Sequence, residues 1–228
     1  MGGVGAYPGT FDPPTVAHLA VAEAAWRQGA LTRVELVVSR RPLGKAPSAP
    51  SFDDRLAVLR AVAASRPWLD VTVTDRRLIA EVCEGYSAVI MGLDKWHQVL
   101  DPAWYGGSLS DRDRAVASLP TVLLALREGS PPPSSLPPAV RVLSVPADHL
   151  PVSSTLARAG RVEWMAEEAA RFDTDTGAWS DPDRYLRWCA EREAACGAAP
   201  GPAGGAANPK PSPTSLSPMP GRTNPPEE

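Results

Sequence analysis

Apolar residues recur along this chain in two rhythms that take turns, short continuous runs and helical stripes. Val4 to Tyr7 has the length and composition of a buried strand, and after a turn Val16, Leu19, Ala22 and Trp26 fall on one face of an Ala-rich helix that ends near Gly29. The pair then repeats. Val34 to Val38 reads as a strand, and Asp53 to Ala64 as a helix with Leu56, Leu59 and Ala63 on one face and Asp53 or Asp54 at its positive end. Val71 to Val73, Ala88 to Met91, Thr121 to Leu126 and Val140 to Val145 are further strands. Between them lie a short helix around Leu78 to Cys83, an aromatic segment broken by Pro102 and Gly106-Gly107, and a charged helical stretch from Ser110. The run Ser130 to Pro138 can be neither helix nor inner strand and reads as a surface loop. Helices carrying Trp164, Met165 and Ala169 follow, then one opened by Asp181 as N-cap and Pro182 in first position.

Strands alternating with helices predict a doubly wound α/β domain, a Rossmann-like parallel sheet covered on both faces. Its expected extent is residues 1–196, with C-terminal helices over about 155–196. From Gly197 onward the last 32 residues hold nine prolines and five glycines, and a disordered tail is expected there. Ligands of such sheets bind beyond the carboxyl ends of the strands.

Composition narrows the partners. Of the 228 residues 43% are hydrophobic, enough for a real core, and a net charge of −3 without a basic cluster argues against nucleic acid or an anionic membrane. Cys83, Cys189 and Cys196 form no metal-ligand spacing and leave one unpaired in any disulfide scheme, which points to a reduced, cytoplasmic protein. The first twenty residues lack the basic region and apolar core of a secretion leader, and no apolar run approaches the roughly 20 residues a membrane helix needs.

Chemistry concentrates in two turns. Tyr7-Pro8-Gly9-Thr10-Phe11-Asp12-Pro13-Pro14-Thr15-Val16-Ala17-His18 joins the first strand to the first helix. Gly9 is expected to supply unusual backbone angles, the prolines to hold the loop extended, and Thr15 to cap a helix whose first amides face an anion. Ser153-Ser154-Thr155 stands at another predicted helix start with Arg158 a turn further on, a second set of hydroxyl, amide and guanidinium donors suited to phosphate. Asp12 is read as orienting its loop rather than holding metal, and His97 and His149, without a second ligand at useful spacing, as non-catalytic.

The first turn resembles the Gly-Thr/Ser-Phe-Asp-Pro and His/Thr-x-Gly-His signature of the nucleotidylyltransferase superfamily, with Ala17 where the family has glycine, and the second resembles its Ile-Ser-Ser-Thr-x-Ile-Arg signature. Gly92-Leu93-Asp94 followed by Trp104-Tyr105 is similar to bacterial nicotinate mononucleotide adenylyltransferases, whereas Tyr7 to Pro13 looks like the pantetheine phosphate branch. The resemblance implies in-line transfer of AMP from ATP, aided by Mg²⁺, to a small-molecule mononucleotide or other phosphorylated acceptor, with pyrophosphate as leaving group. It implies catalytic roles for His18, Lys45 and Arg158. Gly9, Thr10, Phe11, Thr15, His18, Gly92, Asp94, Ser153, Ser154, Thr155 and Arg158 would bind nucleotide, and Thr10, Lys45, Asp94 and Trp96 or Trp104 the acceptor. Arg40 and Arg41 are neighbouring candidates for the role of Lys45. A dedicated protein-bound metal is not expected, and homo-oligomerisation is left open.

Overall fold

In the computed structural model, which describes residues 2–41, 50–129 and 135–197, strand β1 (Val4–Pro8) leads into helix α1 (Val16–Gln28). Then come β2 (Arg33–Ser39), α2 (Phe52–Ala64), β3 (Leu69–Thr74) and the single-turn α3 (Ile79–Val82). β4 (Ala88–Gly92) runs directly into α4 (Leu93–Leu100), and a 3-10 turn at Pro102–Tyr105 precedes α5 (Leu109–Ala117). β5 (Thr121–Ala125) and β6 (Val140–Val142) complete the sheet, and α6 (Ser154–Arg158), α7 (Glu167–Thr176) and α8 (Pro182–Gly197) follow. The tail from residue 198 and the first part of the Pro-rich run, residues 130–134, lie outside the described residues.

The six strands form one sheet in the order β3-β2-β1-β4-β5-β6, and every neighbouring pair is parallel. This is the doubly wound α/β fold, whose order reverses between β1 and β4. Five residues of β1 pair with β2, but only Gly5 and Ala6 pair with β4, although both strands run on to Pro8 and Gly92. Pro8 has no N–H with which to extend that ladder. The sheet therefore parts at the carboxyl ends of its two central strands, where a ligand site is expected.

Alternate side chains of each strand enter two separate cores. Tyr7, Leu36, Ile90 and Leu123 pack with α1, α2, α7 and α8 on one face, and Ala6, Val37, Val89, Met91 and Leu124 pack with α3 and α4 on the other. Leu59, Ile90 and Leu124 are fully buried, each contributing on the order of 1.5–3 kcal/mol. α4 occupies the start of the aromatic segment, to which the sequence pattern assigned no helix. Leu93, Trp96 and Val99 recur at helical spacing and are all buried against the second face, so tertiary burial holds a helix between two turn-forming stretches. β6 stops at Val142, three residues short of the predicted end, with Leu143 still donating to Leu124 O at 2.8 Å.

Candidate active site

The turn between β1 and α1 is built around one imidazole. Thr15 is the N-cap of α1: its hydroxyl accepts the His18 N–H at 3.3 Å while its own backbone N–H donates to His18 Nδ1 at 3.0 Å. Thr15 Oγ1 lies 2.9 Å from the same nitrogen. With Nδ1 occupied as an acceptor, a neutral His18 carries its proton on Nε2, on the far side of the ring. The Phe11 and His18 ring centroids are 5.2 Å apart in an edge contact, and Tyr7 closes the cluster at 5.4 Å from Phe11. Burial pushes the Tyr7 phenol far up, against a smaller opposing effect of Arg127, so Tyr7 acts here as a neutral wall.

The unusual backbone angle belongs to Phe11 and not, as the sequence suggested, to Gly9. Phe11 has φ 45°, while Gly9 is not among the residues of positive φ. What Gly9 supplies is space, because a Cβ there would stand 2.8 Å from the Phe11 ring. The buried Phe11 ring, packed edge-on against Tyr7 and His18, sustains the strained angle beside the catalytic candidate.

The second signature is stitched onto the first. Ser153 caps α6, its hydroxyl accepting from Leu156 N at 3.2 Å, and Ser154 Oγ donates to Pro13 O at 2.9 Å. Arg158 Nη1 donates to the Asp12 carbonyl and lies 3.8 Å from the Asp12 carboxylate. The other carboxylate oxygen, Oδ1, accepts the Trp179 indole N–H at 2.7 Å. Ala166 N donates to Pro14 O at 2.9 Å beside a bridge between Thr15 and Met165, and Arg55 reaches Thr10 O from α2 at 3.3 Å.

Around this junction opens a cavity of about 490 Å³. Gly9, Thr10, Phe11, Thr15, His18, Gly92, Asp94, Trp104, Ser153, Ser154, Thr155 and Arg158 all line it, as does Ala17. One wall is α1 and α6. The facing wall is Leu78, Ile79, Val82, Val99, Trp104 and Tyr105, from the layer of α3 and α4. Trp96 does not reach the cavity: it is 3% exposed in the second core, so of the two candidate stacking rings Trp104 alone lines the space. Lys45 lies outside the described residues. Arg40 is turned aside, its guanidinium 4.9 Å over the Phe52 ring. Sequence reasoning missed Arg76, Arg77, Lys95 and Arg127, and it set aside His149, which also lines the cavity. The signal available for Arg76, Arg77 and Arg127 was position, since they follow the carboxyl ends of β3 and β5. Among the described residues no three His, Cys, Asp or Glu side chains gather into a metal site. Burial pushes the Cys83 thiol up to about 12, which makes it a poor nucleophile.

A parallel sheet parted at its switch point, with two phosphate-type turns meeting over the gap, defines a nucleotide-handling α/β protein. The family model described as cytidylyltransferase-like matches residues 6–159, and the chain belongs to that family of nucleotidyltransferases. It is 28% identical over 183 residues to a probable nicotinate-nucleotide adenylyltransferase of Laribacter hongkongensis, covering 68% of this chain and 82% of the relative. A protein of the same description from Bordetella avium is 36% identical over 72 residues, 32% of this chain and 36% of its own. Among solved structures, Plasmodium falciparum nicotinic acid mononucleotide adenylyltransferase complexed with NaAD superimposes with a TM-score of 0.60 at 13% identity, covering 77% of this chain and 96% of that one. The same enzyme complexed with APC gives a TM-score of 0.59. Among the described residues no helix is long and apolar enough to cross a membrane.

Proposed function

We propose that this chain transfers the AMP moiety of ATP to nicotinate mononucleotide or its amide, with release of pyrophosphate, a step of NAD biosynthesis. The observation that carries the reading is the junction of the two signatures, in which Ser154 and Arg158 bond to Pro13 and Asp12 on the wall that bears His18. The relatives' names supply the nicotinate acceptor, and a cavity wall presenting Trp104 and Tyr105 suits a flat, electron-poor ring.

In this reaction an acceptor phosphate oxygen attacks the α-phosphorus in line. The bond to the β-phosphate oxygen breaks, and its electron pair leaves with pyrophosphate. Catalysis is then a matter of positioning and of stabilising charge as it spreads over phosphate oxygens. His18 Nε2–H would donate to the α- or β-phosphate in the transition state, and the Thr10 amide and hydroxyl would hold the same region. Ser153, Ser154, Thr155 and Arg158 would grip the β/γ end, and Lys45 would neutralise the leaving group. Asp94 would position the acceptor and Trp104 stack on its ring. Mg²⁺ would neutralise triphosphate charge, held mainly by phosphate oxygens and water, since the Asp12 carboxylate is already engaged by Trp179 and Arg158.

The test is the purified protein with ATP and Mg²⁺ against a panel of nicotinate mononucleotide, nicotinamide mononucleotide and pantetheine phosphate, read by pyrophosphate release. Turnover is expected with a pyridine mononucleotide. Turnover with pantetheine phosphate alone, in line with the Tyr7 to Pro13 resemblance, would replace the acceptor and keep the reaction. Nucleotide binding with no release on any acceptor would leave a silent binding module.

A further inference from the structure

The acceptor side of the cavity carries cations as well as rings, and they are not equivalent. Arg76 is committed to α3 and its surroundings, donating to the Glu81 carbonyl and to Glu84 at 2.6 Å. Lys95 donates to Gln98 at 2.8 Å, and Arg127 stands 3.8 Å from Asp94. Arg77 differs. Its backbone N–H is held by the Glu81 carboxylate at 3.3 Å, which also takes the Leu78 N–H at 3.2 Å, but its guanidinium makes no hydrogen bond or ion pair among the described residues. It is thus an exposed cation on a braced backbone, next in sequence to Leu78 and Ile79 of the apolar wall and lining the cavity with Trp104.

We infer that Arg77 is the specificity residue for the acceptor, its guanidinium pairing with a carboxylate borne on the acceptor's ring, so that the acid is chosen over the amide. This rests on the proposed pyridine mononucleotide activity and adds to it which form is used. A planar fork of donors matches a carboxylate bidentately and leaves an uncharged carboxamide with one acceptor oxygen and a misplaced donor. The acceptor's phosphate is an alternative anion for the same guanidinium, but it is common to both mononucleotides and creates no preference between them.

The experiment compares kcat/KM for nicotinate and nicotinamide mononucleotide in the full chain and in Arg77→Gln, with Arg77→Lys as the variant that keeps charge but loses the fork. The expected result is a nicotinate-to-nicotinamide ratio that falls about 10- to 100-fold in Arg77→Gln, the scale of a lost charge-assisted pair, and less in Arg77→Lys. A ratio that stays constant, whether both acceptors weaken together or neither does, overturns the assignment. Failure of the parent chain on both mononucleotides overturns the functional reading itself and this inference with it, and the unmutated arm shows which has failed. Melting curves of the three proteins should coincide, since the side chain is exposed.

Discussion

On the cavity wall that carries His18 and Arg158, the backbone and side chains of one short turn are taken by partners 141 to 167 residues away: Ser154 on Pro13, Arg158 on Asp12, Trp179 on Asp12. On the facing wall most side-chain contacts are local, with Arg127 at 3.8 Å from Asp94 and the Ser39 hydroxyl donating to the Arg76 carbonyl at 3.0 Å as longer ties. Arg76 reaches Glu81 and Glu84, Lys95 reaches Gln98, and Tyr105 OH donates to Val99 O at 3.1 Å, none spanning more than eight residues. The first wall is cross-linked into the global fold and the second is a set of short elements lying on the second core. That division suits the proposed chemistry. Groups that meet a transition state gain from being held before the substrate arrives, whereas groups that recognise one acceptor can vary without disturbing the sheet.

The sharpest test of that division is His18→Ala. Loss of one preorganised donor should lower kcat by at least about a hundredfold, measured by pyrophosphate release, with the fold intact and the melting temperature lowered only modestly, by loss of the Nδ1 acceptor of the Thr15 N–H. A comparable loss in KM alone would make His18 a binding group, and an unchanged kcat would remove the imidazole from the mechanism and the first wall from its special status.

The facing wall should respond more mildly and differently. Trp104→Ala is expected to raise KM for the acceptor roughly tenfold, the value of one stacked ring, with KM for ATP and the melting temperature little altered. Trp96→Ala should do the reverse. Trp96 is buried among Val89, Met91 and Val99, and its loss opens a cavity costing about 3–5 kcal/mol of stability without a specific change in acceptor affinity. If both substitutions act alike, the ring in the cavity is not the one that recognises substrate.

The same contrast explains what could be read from the sequence. The strand-turn-helix with His18 and the cap at Ser153 obey local rules of turns, caps and periodicity, and Thr15 and Ser153 stand where those rules put them. The doubly wound parallel sheet followed from alternation, whereas its strand order came only with the structure. Gly9 was misread because conformational freedom is the usual reason for a glycine in a turn, and only three dimensions reveal that the Phe11 ring needs the space. Trp96 and Trp104 are eight residues apart and chemically identical. Which one enters the core depends on α4, whose stripe of Leu93, Trp96 and Val99 was masked by the proline and glycines that follow. Arg77 looked like any charged residue of a loop, since sequence does not state which guanidinium comes to line the cavity.

Each layer of the molecule also buries hydrogen-bonded carboxylates, Asp54 and Asp173 in the first and Glu35 in the second, and acid should expose the smallest of the expected differences. In the first layer Asp54 accepts from Ser51 at 2.8 Å, Tyr185 at 2.5 Å and Arg192 at 2.7 Å, tying α8 to the start of α2. In the second, Glu35 accepts from Tyr86 at 2.6 Å, Thr72 at 2.8 Å and Arg33 at 3.0 Å. Burial alone would raise both groups, but the donors outweigh it and hold each below the usual carboxylate range. A depressed folded-state value means that the ionised carboxylate stabilises the protein above its unfolded value, near pH 4, and that this contribution is lost as pH falls through the folded value. Glu35→Gln should therefore cost about 1 kcal/mol at pH 7, or roughly 2–4 °C, and the gap to the parent should close as the melt is repeated below pH 4. A gap that persists in acid would mean that Glu35 acts through packing and not through its charge.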